Sequence, residues 1–311
     1  METTFANPFQ LEDLLVFEEA HFCQILGGCI QKMTLEQLAW GLHAAPDPLM
    51  ERVRSCLSPR EREVLQQAVT RVVPECEVVR ARRKLLDLFF WELTYWKTPE
   101  LYEELTTGEQ LHPGIFQHLE PFLRGKIVLD AGAGSGRASF ECVRHGASLV
   151  YALEPSPGLL RLLQQKASRS SSAERILPLA GDFAHIPLSD GSVDLALACS
   201  SFTSEPGQGG EPGLAEFRRV VRSGGAIAFI WPRPQDRAWL SARGFHYVAL
   251  PCEREMCVRF PSFACALRCA RRFYAGNHKV LRYLLCERQP VVPFSILGVN
   301  PPCDYCWARV Y

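Results

Sequence analysis

The chain has 311 residues, enough for two domains of ordinary size, and its 34 basic and 34 acidic side chains cancel, so no net charge draws it to nucleic acid or to an anionic membrane. No apolar run approaches the roughly 20 residues a membrane-spanning helix needs. The start "METTFANPFQLEDLL" lacks the basic opening and apolar core of a secretory signal. The expectation is a soluble, cytoplasmic protein with neither a membrane nor a nucleic-acid partner. Its 13 cysteines are then expected as reduced thiols, most of them buried as small hydrophobes. Only Cys303-Asp-Tyr-Cys306 has the two-residue gap of a metal knuckle. A structural zinc site usually shows two such pairs, so no metal is expected.

Residues from about 9 to 97 read as all-helical. Thr34-Leu-Glu-Gln37 is a capping box, Asp47-Pro48 sets a cap before an N1 proline, and Ser58-Pro59-Arg60-Glu61 combines both devices. In the helix that follows, Val64, Leu65, Val69 and Val72 recur at helical spacing. Pro74 then interrupts, and one long helix is predicted from about Glu75 to Trp96.

From Gly125 the pattern changes. "KIVLD" (126–130), "SLVYALE" (148–154), "RILPLAGD" (175–182), "VDLALACSS" (193–201) and "GAIAFIW" (225–231) are short apolar runs bounded by Gly, Pro or charge. Such runs are expected for strands buried on both faces. Helical stretches lie between them, among them "RASFECVRHG", "PGLLRLLQQKAS" and "PGLAEFRRVVRSG". This alternation predicts a doubly wound, mostly parallel Rossmann-like sheet of the α/β class, preceded by an all-α domain. "DRAWLSARGFHYVALP" adds a helix and a strand, and "FPSFACALRCARRFYAG" a further helix. Either "VLRYLLC" (280–286) or "CWARVY" (306–311) could be the final strand, and periodicity does not choose between them.

The stretch "VLDAGAGSGR" (128–137) places glycines between a buried strand and a helix, a device that turns backbone N–H groups toward a ligand. A dinucleotide turn, G-x-G-x-x-G, would need glycine at Arg137. The spacing is instead Gly132, Gly134, Gly136, with Asp130 in front. An acid there would repel a pyrophosphate and suits a cationic ligand. Glu154 closes the second strand, where a carboxylate can accept ribose hydroxyls. Asp182 follows the third strand, with Phe183 beside it as a flat surface for a purine.

"VLDAGAGSGR", "YALEPS", "AGDFAHIPLSDGSVDLALACSS" and "EFRRVVRSGGAIAFIW" occur in the order and spacing of the class I S-adenosylmethionine-dependent methyltransferases, which residues 92–250 resemble. The resemblance implies S-adenosylmethionine as cofactor and an acceptor, small molecule or protein, for its methyl group. It implies that Asp130, Gly132, Gly134 and Gly136 line the amino-acid part of the cofactor. Glu154 would hold the ribose, and Asp182 and Phe183 would frame the adenine. "YWKTPELYEELTTGEQLHPGIF" (95–116) resembles the helical approach segment of that family, which would bring Tyr102 and His112 near the methyl group. Ser200 would face it from the end of the fourth strand. These are the candidates on the acceptor side, and no dedicated base stands out. Methyl transfer from a sulfonium needs chiefly proximity and alignment, so none is required. "NPPC" (300–303) is similar to an amino-methylation motif but stands far past the fifth strand, where a turn explains the prolines.

Residues 11–90, from "LEDLLVFEEAHFCQILGG" to "VRARRKLLDLF", are similar to the C-terminal helical domain of the flagellar motor switch protein. That implies a protein partner on an assembly. The helix that carries acidic charges in that family reads Gln66-Gln67-Ala68 here, which leaves torque generation without its charges. The expected division is thus an interaction domain at 1–91 and a methyltransferase domain at 92–311, with an extended segment 251–305 helping to build the acceptor pocket. The competing reading is a non-catalytic assembly module with a vestigial methyltransferase domain.

Overall fold

In the computed structural model, which describes residues 5–171 and 173–311, the chain divides into two units between Thr98 and Pro99. The first is helical: α1 (Glu19–Ile30), α2 (Leu35–Gly41), α3 (Asp47–Ser55), α4 (Pro59–Val69), α5 (Glu75–Leu88) and α6 (Phe90–Lys97). The caps form where the sequence places two of them. Thr34 and Ser58 each accept the N3 backbone N–H, and Gln37 and Glu61 return the bond. Asp47 instead lies inside the first turn of α3, behind Pro46, and makes no cap.

The long helix expected over 75–96 is broken at Phe89. That residue is fully buried, with its ring against Phe17 and Phe22, and the break between α5 and α6 lets it reach both. Because α6 packs here, through Phe90 and through Trp96 on Phe17, the join falls a little after the expected 91/92 boundary. The expectation of reduced thiols does not hold for one pair: α1 lies beside α3, and Cys23 on α1 is disulfide-bonded to Cys56 at the end of α3.

The second unit begins with α7 (Pro99–Thr107) and α8 (Pro113–Leu119). It then alternates β1 (Ile127–Ala131), α9 (Arg137–Arg144), β2 (Leu149–Glu154), α10 (Pro157–Arg169), β3 (Ile176–Ala180), β4 (Val193–Cys199), α11 (Gly210–Val220), β5 (Val221–Ile230), α12 (Arg237–Ser241) and β6 (His246–Ala249). An excursion follows, with β7 (Cys257–Arg259), α13 (Phe263–Phe273), α14 (His278–Glu287), β8 (Val291–Pro293) and α15 (Phe294–Leu297), before β9 (Asp304–Arg309). The strands of the large sheet lie in the order β3-β2-β1-β4-β5-β9-β6, parallel except for β9, which runs antiparallel between β5 and β6.

That order settles the final strand. "CWARVY" is in the sheet, and "VLRYLLC" is in α14. The expectation of strands buried on both faces holds for β1 and β4 but not for β3. It is one of the two edge strands, and Leu177 on it is 40% exposed. Apolar side chains fill both faces of the sheet, Val128, Val150, Leu195 and Leu197 on one side and Leu129, Leu153, Ala196 and Phe229 on the other. Each such burial stabilises by roughly 1.5–3 kcal/mol for a Val, Leu or Phe. Strand order reverses between β1 and β4, and in open α/β sheets ligands bind outside the carboxyl ends at that point. Among the described residues, no helix is long and apolar enough to cross a membrane.

Candidate active site

The last residues of β1 enter a turn in which Gly132, Gly134 and Gly136 all have positive φ, at 67°, 58° and 95°. The three glycines have different physical reasons. A Cβ on Gly132 would come within 2.6 Å of Ser201 Oγ and 3.0 Å of Phe183 Cζ. A Cβ on Gly134 would meet nothing within 4 Å, so this side of the turn opens onto free space. A Cβ on Gly136 would lie 2.6 Å from Leu163 and 3.0 Å from Phe140, so here glycine admits close packing of α9 on α10. The Cβ direction of Gly136 points to Leu163 and Phe140, so the position has a packing reason for glycine beside its place in the turn.

Asp130, at the floor of the turn, is fully buried. One carboxylate oxygen accepts from Ser139 Oγ at 2.6 Å, and the other, Oδ1, has no partner. Burial pushes this carboxyl up to about 6, against the opposing pull of the Ser139 bond and the Arg137 charge. Glu154, at the end of β2, accepts from Gly134 N–H at 2.8 Å and from Ser156 N–H at 2.9 Å. It staples the glycine turn to the next strand.

Asp182 turns one oxygen back onto its own loop, accepting from Ala184 and His185 N–H. The Phe183 ring lies above Gly132 and packs edge-on against Phe202 at 5.3 Å. His112 is taken up locally: Nδ1 accepts from Gly114 N–H and so caps α8, while the His112 backbone N–H donates to Pro302 O. Ser200 follows β4 with φ of 59°, and Trp231 follows β5 with φ of 54°. Two non-glycine residues in the left-handed region, at adjacent strand ends, mark stored backbone strain of the kind that gathers at functional sites.

Glu109, Cys199 and Trp231 are not among the residues that the sequence singles out, and Arg137 is noted there only for standing in place of a glycine; the fold brings the four together. Arg137 donates to Glu109 Oε2 at 2.9 Å and reaches Cys199 Sγ at 3.6 Å. Its guanidinium lies over the Trp231 ring at 5.7 Å. Burial raises the Glu109 carboxyl, opposed by Arg137, and raises the Cys199 thiol, again opposed by Arg137. The Tyr102 phenol feels Arg137, Glu109, Glu154 and Cys199, and burial holds it protonated. One local sign of this cluster is legible. An arginine in the first turn of a helix opposes the helix dipole, and a nearby carboxylate offsets that cost. Beside the turn a cavity of about 560 Å³ is lined by Ser135, Arg137, Glu109, Leu111, Phe116 and Phe140, among others.

S-adenosylmethionine carries a sulfonium, an ammonium and ribose hydroxyls, all attracted to carboxylates. The unpartnered oxygen of Asp130 and the open side of Gly134 fit such a group. Strand order, glycine turn and acidic strand ends together define a class I S-adenosylmethionine-dependent methyltransferase domain. Residues 129–229 match the family described as Methyltransferase domain. The chain is 26% identical to an uncharacterised methyltransferase of a Geobacillus strain, over 56% of this chain and 82% of that protein. It is 32% identical to a demethylmenaquinone methyltransferase of Thermobifida fusca, over 40% of this chain and 54% of that one. It is 36% identical to a malonyl-[acyl-carrier protein] O-methyltransferase of Yersinia pestis, over 34% and 36%. A solved S-adenosylmethionine-dependent methyltransferase from Aquifex aeolicus aligns at 21% identity and a TM-score of 0.37, over 51% of this chain and 86% of that one. The chain thus carries an S-adenosylmethionine-dependent methyltransferase domain, and a methyl acceptor is implied.

Proposed function

We propose that the second unit holds S-adenosylmethionine along the carboxyl edge of β1, β2 and β3 and directs its methyl group to an acceptor entering beside the ends of β4 and β5. Asp130, Gly132 and Gly134 border the amino-acid part, Glu154 the ribose, and Asp182 and Phe183 the adenine. When bound, the cofactor supplies a methyl group already activated on a cationic sulfur. The chain's own residues contribute position. Arg137, fixed by Glu109 and Trp231, holds the wall between the glycine turn and Cys199. Tyr102 and Ser200 border the same space, and neither is a strong base: the phenol is held protonated, and the serine is a neutral hydroxyl. The reading is transfer by proximity and alignment to an acceptor that is already nucleophilic.

The observation that carries this reading is the unpartnered, buried oxygen of Asp130 beside the open face of Gly134. Calorimetry with S-adenosylmethionine tests it. Asp130→Ala is expected to weaken binding by about 1–3 kcal/mol, the range for losing a charge-assisted hydrogen bond. Unchanged affinity, or no binding by the native chain at millimolar cofactor, would overturn it.

For the first unit, the resemblance to the flagellar motor switch domain supports a protein-binding module. Gln66 and Gln67 are exposed on α4 while Ala68 is buried, so the surface that is acidic in that family is neutral here. The module is read as a docking element without a torque function. Crosslinking from a photoreactive residue at Gln67 in cells tests it: a recurrent protein adduct is expected, and none would reject it.

A further inference from the structure

We propose that Cys265, Cys269 and Glu104 form a binding site for a soft divalent metal ion of the zinc class, which clips α13 onto α7. The two cysteines stand one helical turn apart on α13, so both thiols lie on one face. Both residues are buried, and Glu104 on α7 meets them there. One ligand atom from each residue lies within 4.8 Å of the other two. Tetrahedral coordination with metal–sulfur bonds near 2.3 Å and metal–oxygen bonds near 2.0 Å needs separations of about 3.5–3.8 Å, which small side-chain rotations supply. Two thiolates, a carboxylate and a water make up four ligands, and sulfur donors select the zinc class over magnesium or calcium.

The juxtaposition argues against simple filling of space. Buried cysteines commonly serve as small hydrophobes, but these two are packed beside a carboxylate. Burial and the Glu104 charge both raise the Cys265 thiol, and burial is also the main cause of the rise at Cys269. Without a metal the group is two neutral thiols against an anion that Arg268 balances, through Glu104 Oε1 at 2.5 Å and Oε2 at 3.2 Å. On binding, the thiols release two protons to solvent, the metal takes the electron pairs on sulfur, and one Glu104 oxygen turns inward while the other stays on Arg268. No redox change is involved. Affinity therefore rises with pH, as thiol deprotonation requires.

The test uses the full chain, purified with a phosphine reductant and without chelators, and titrated with Co²⁺ alone. One equivalent is expected to give sulfur-to-cobalt charge-transfer absorption and the visible bands of a tetrahedral ion, which Zn²⁺ then displaces. Cys265→Ser and Cys269→Ser are each expected to weaken binding by at least about 10-fold, the low end of what losing even an outer-shell partner costs. Cys303→Ser is expected to leave it unchanged. If the serine variants fail to fold by circular dichroism, Glu104→Gln decides, since that side chain is partly exposed: weaker cobalt binding supports the site, and unchanged binding overturns it. A folded native chain without the charge-transfer band, or a band that survives loss of both Cys265 and Cys269, also overturns it.

Discussion

Asp130 is the residue at which folding and binding pull in opposite directions. Unfolded, it titrates near about 3.9; folded, burial moves it to about 6. Between these values the native state holds a proton that the unfolded chain has released, so stability falls as pH rises through this window and is level above it. The full effect is on the order of 3 kcal/mol. Thermal midpoints of the cofactor-free chain between pH 4 and 7 should show this decline, and Asp130→Asn should remove it. Cofactor affinity should move the other way, falling below about pH 6 as the carboxylate that attracts the cation is neutralised. The glycines make a second contrast. Gly136→Ala must displace Leu163 and adopt a positive φ, so a loss of about 2–4 kcal/mol in stability is expected from overpacking and strain together. Gly134→Ala meets no neighbour and should lose only about 1–2 kcal/mol from its left-handed backbone, yet weaken S-adenosylmethionine binding. Denaturant melts beside calorimetry would separate the two.

At the scale of elements, the excursion between β6 and β9 enters and leaves at one place, because Leu250 N–H donates to Cys303 O at 2.9 Å. Its outer part also touches the approach segment, with Arg259 N–H on Gly108 O and Pro302 O on the His112 N–H. Deletion of all of 251–305 would remove Asp304 and Tyr305 from β9, which pairs with both β5 and β6, and should unfold the sheet. Replacing 253–300 by a short linker spares that strand. The shortened chain is expected to stay folded and to keep micromolar-to-millimolar cofactor binding while losing methyl transfer. Retained turnover on the native acceptor would refute a role for the excursion in acceptor binding.

At the scale of the whole molecule, the two units should lose stability separately. The Cys23–Cys56 bridge closes a loop with a sequence separation of 33, for which chain entropy gives about 3–4 kcal/mol. Cys23→Ser should lower the melting transition of the helical unit and leave S-adenosylmethionine affinity unchanged. Equal loss in both readouts would show the units to be one cooperative body.

The sequence by itself determined what is written within a few residues of itself. The capping boxes at Thr34 and Ser58, the strand-turn-helix around Gly132 and Gly134, and the acids at the ends of β1 and β2 depend on local geometry that short spacing encodes. The parallel order of strands follows from helices that separate them, and the family resemblance from motifs in fixed order. Tertiary structure alone decided the rest. Glu109 reaches Arg137, and Arg137 reaches Cys199, only because the sheet brings distant chain segments to one edge. Phe89 breaks a helix that is locally regular, because burial against Phe17 and Phe22 outweighs the lost continuity. "CWARVY" and "VLRYLLC" share an apolar character that suits strand or helix alike. What separates them is the open edge of β5, a partner that no local pattern in either segment records.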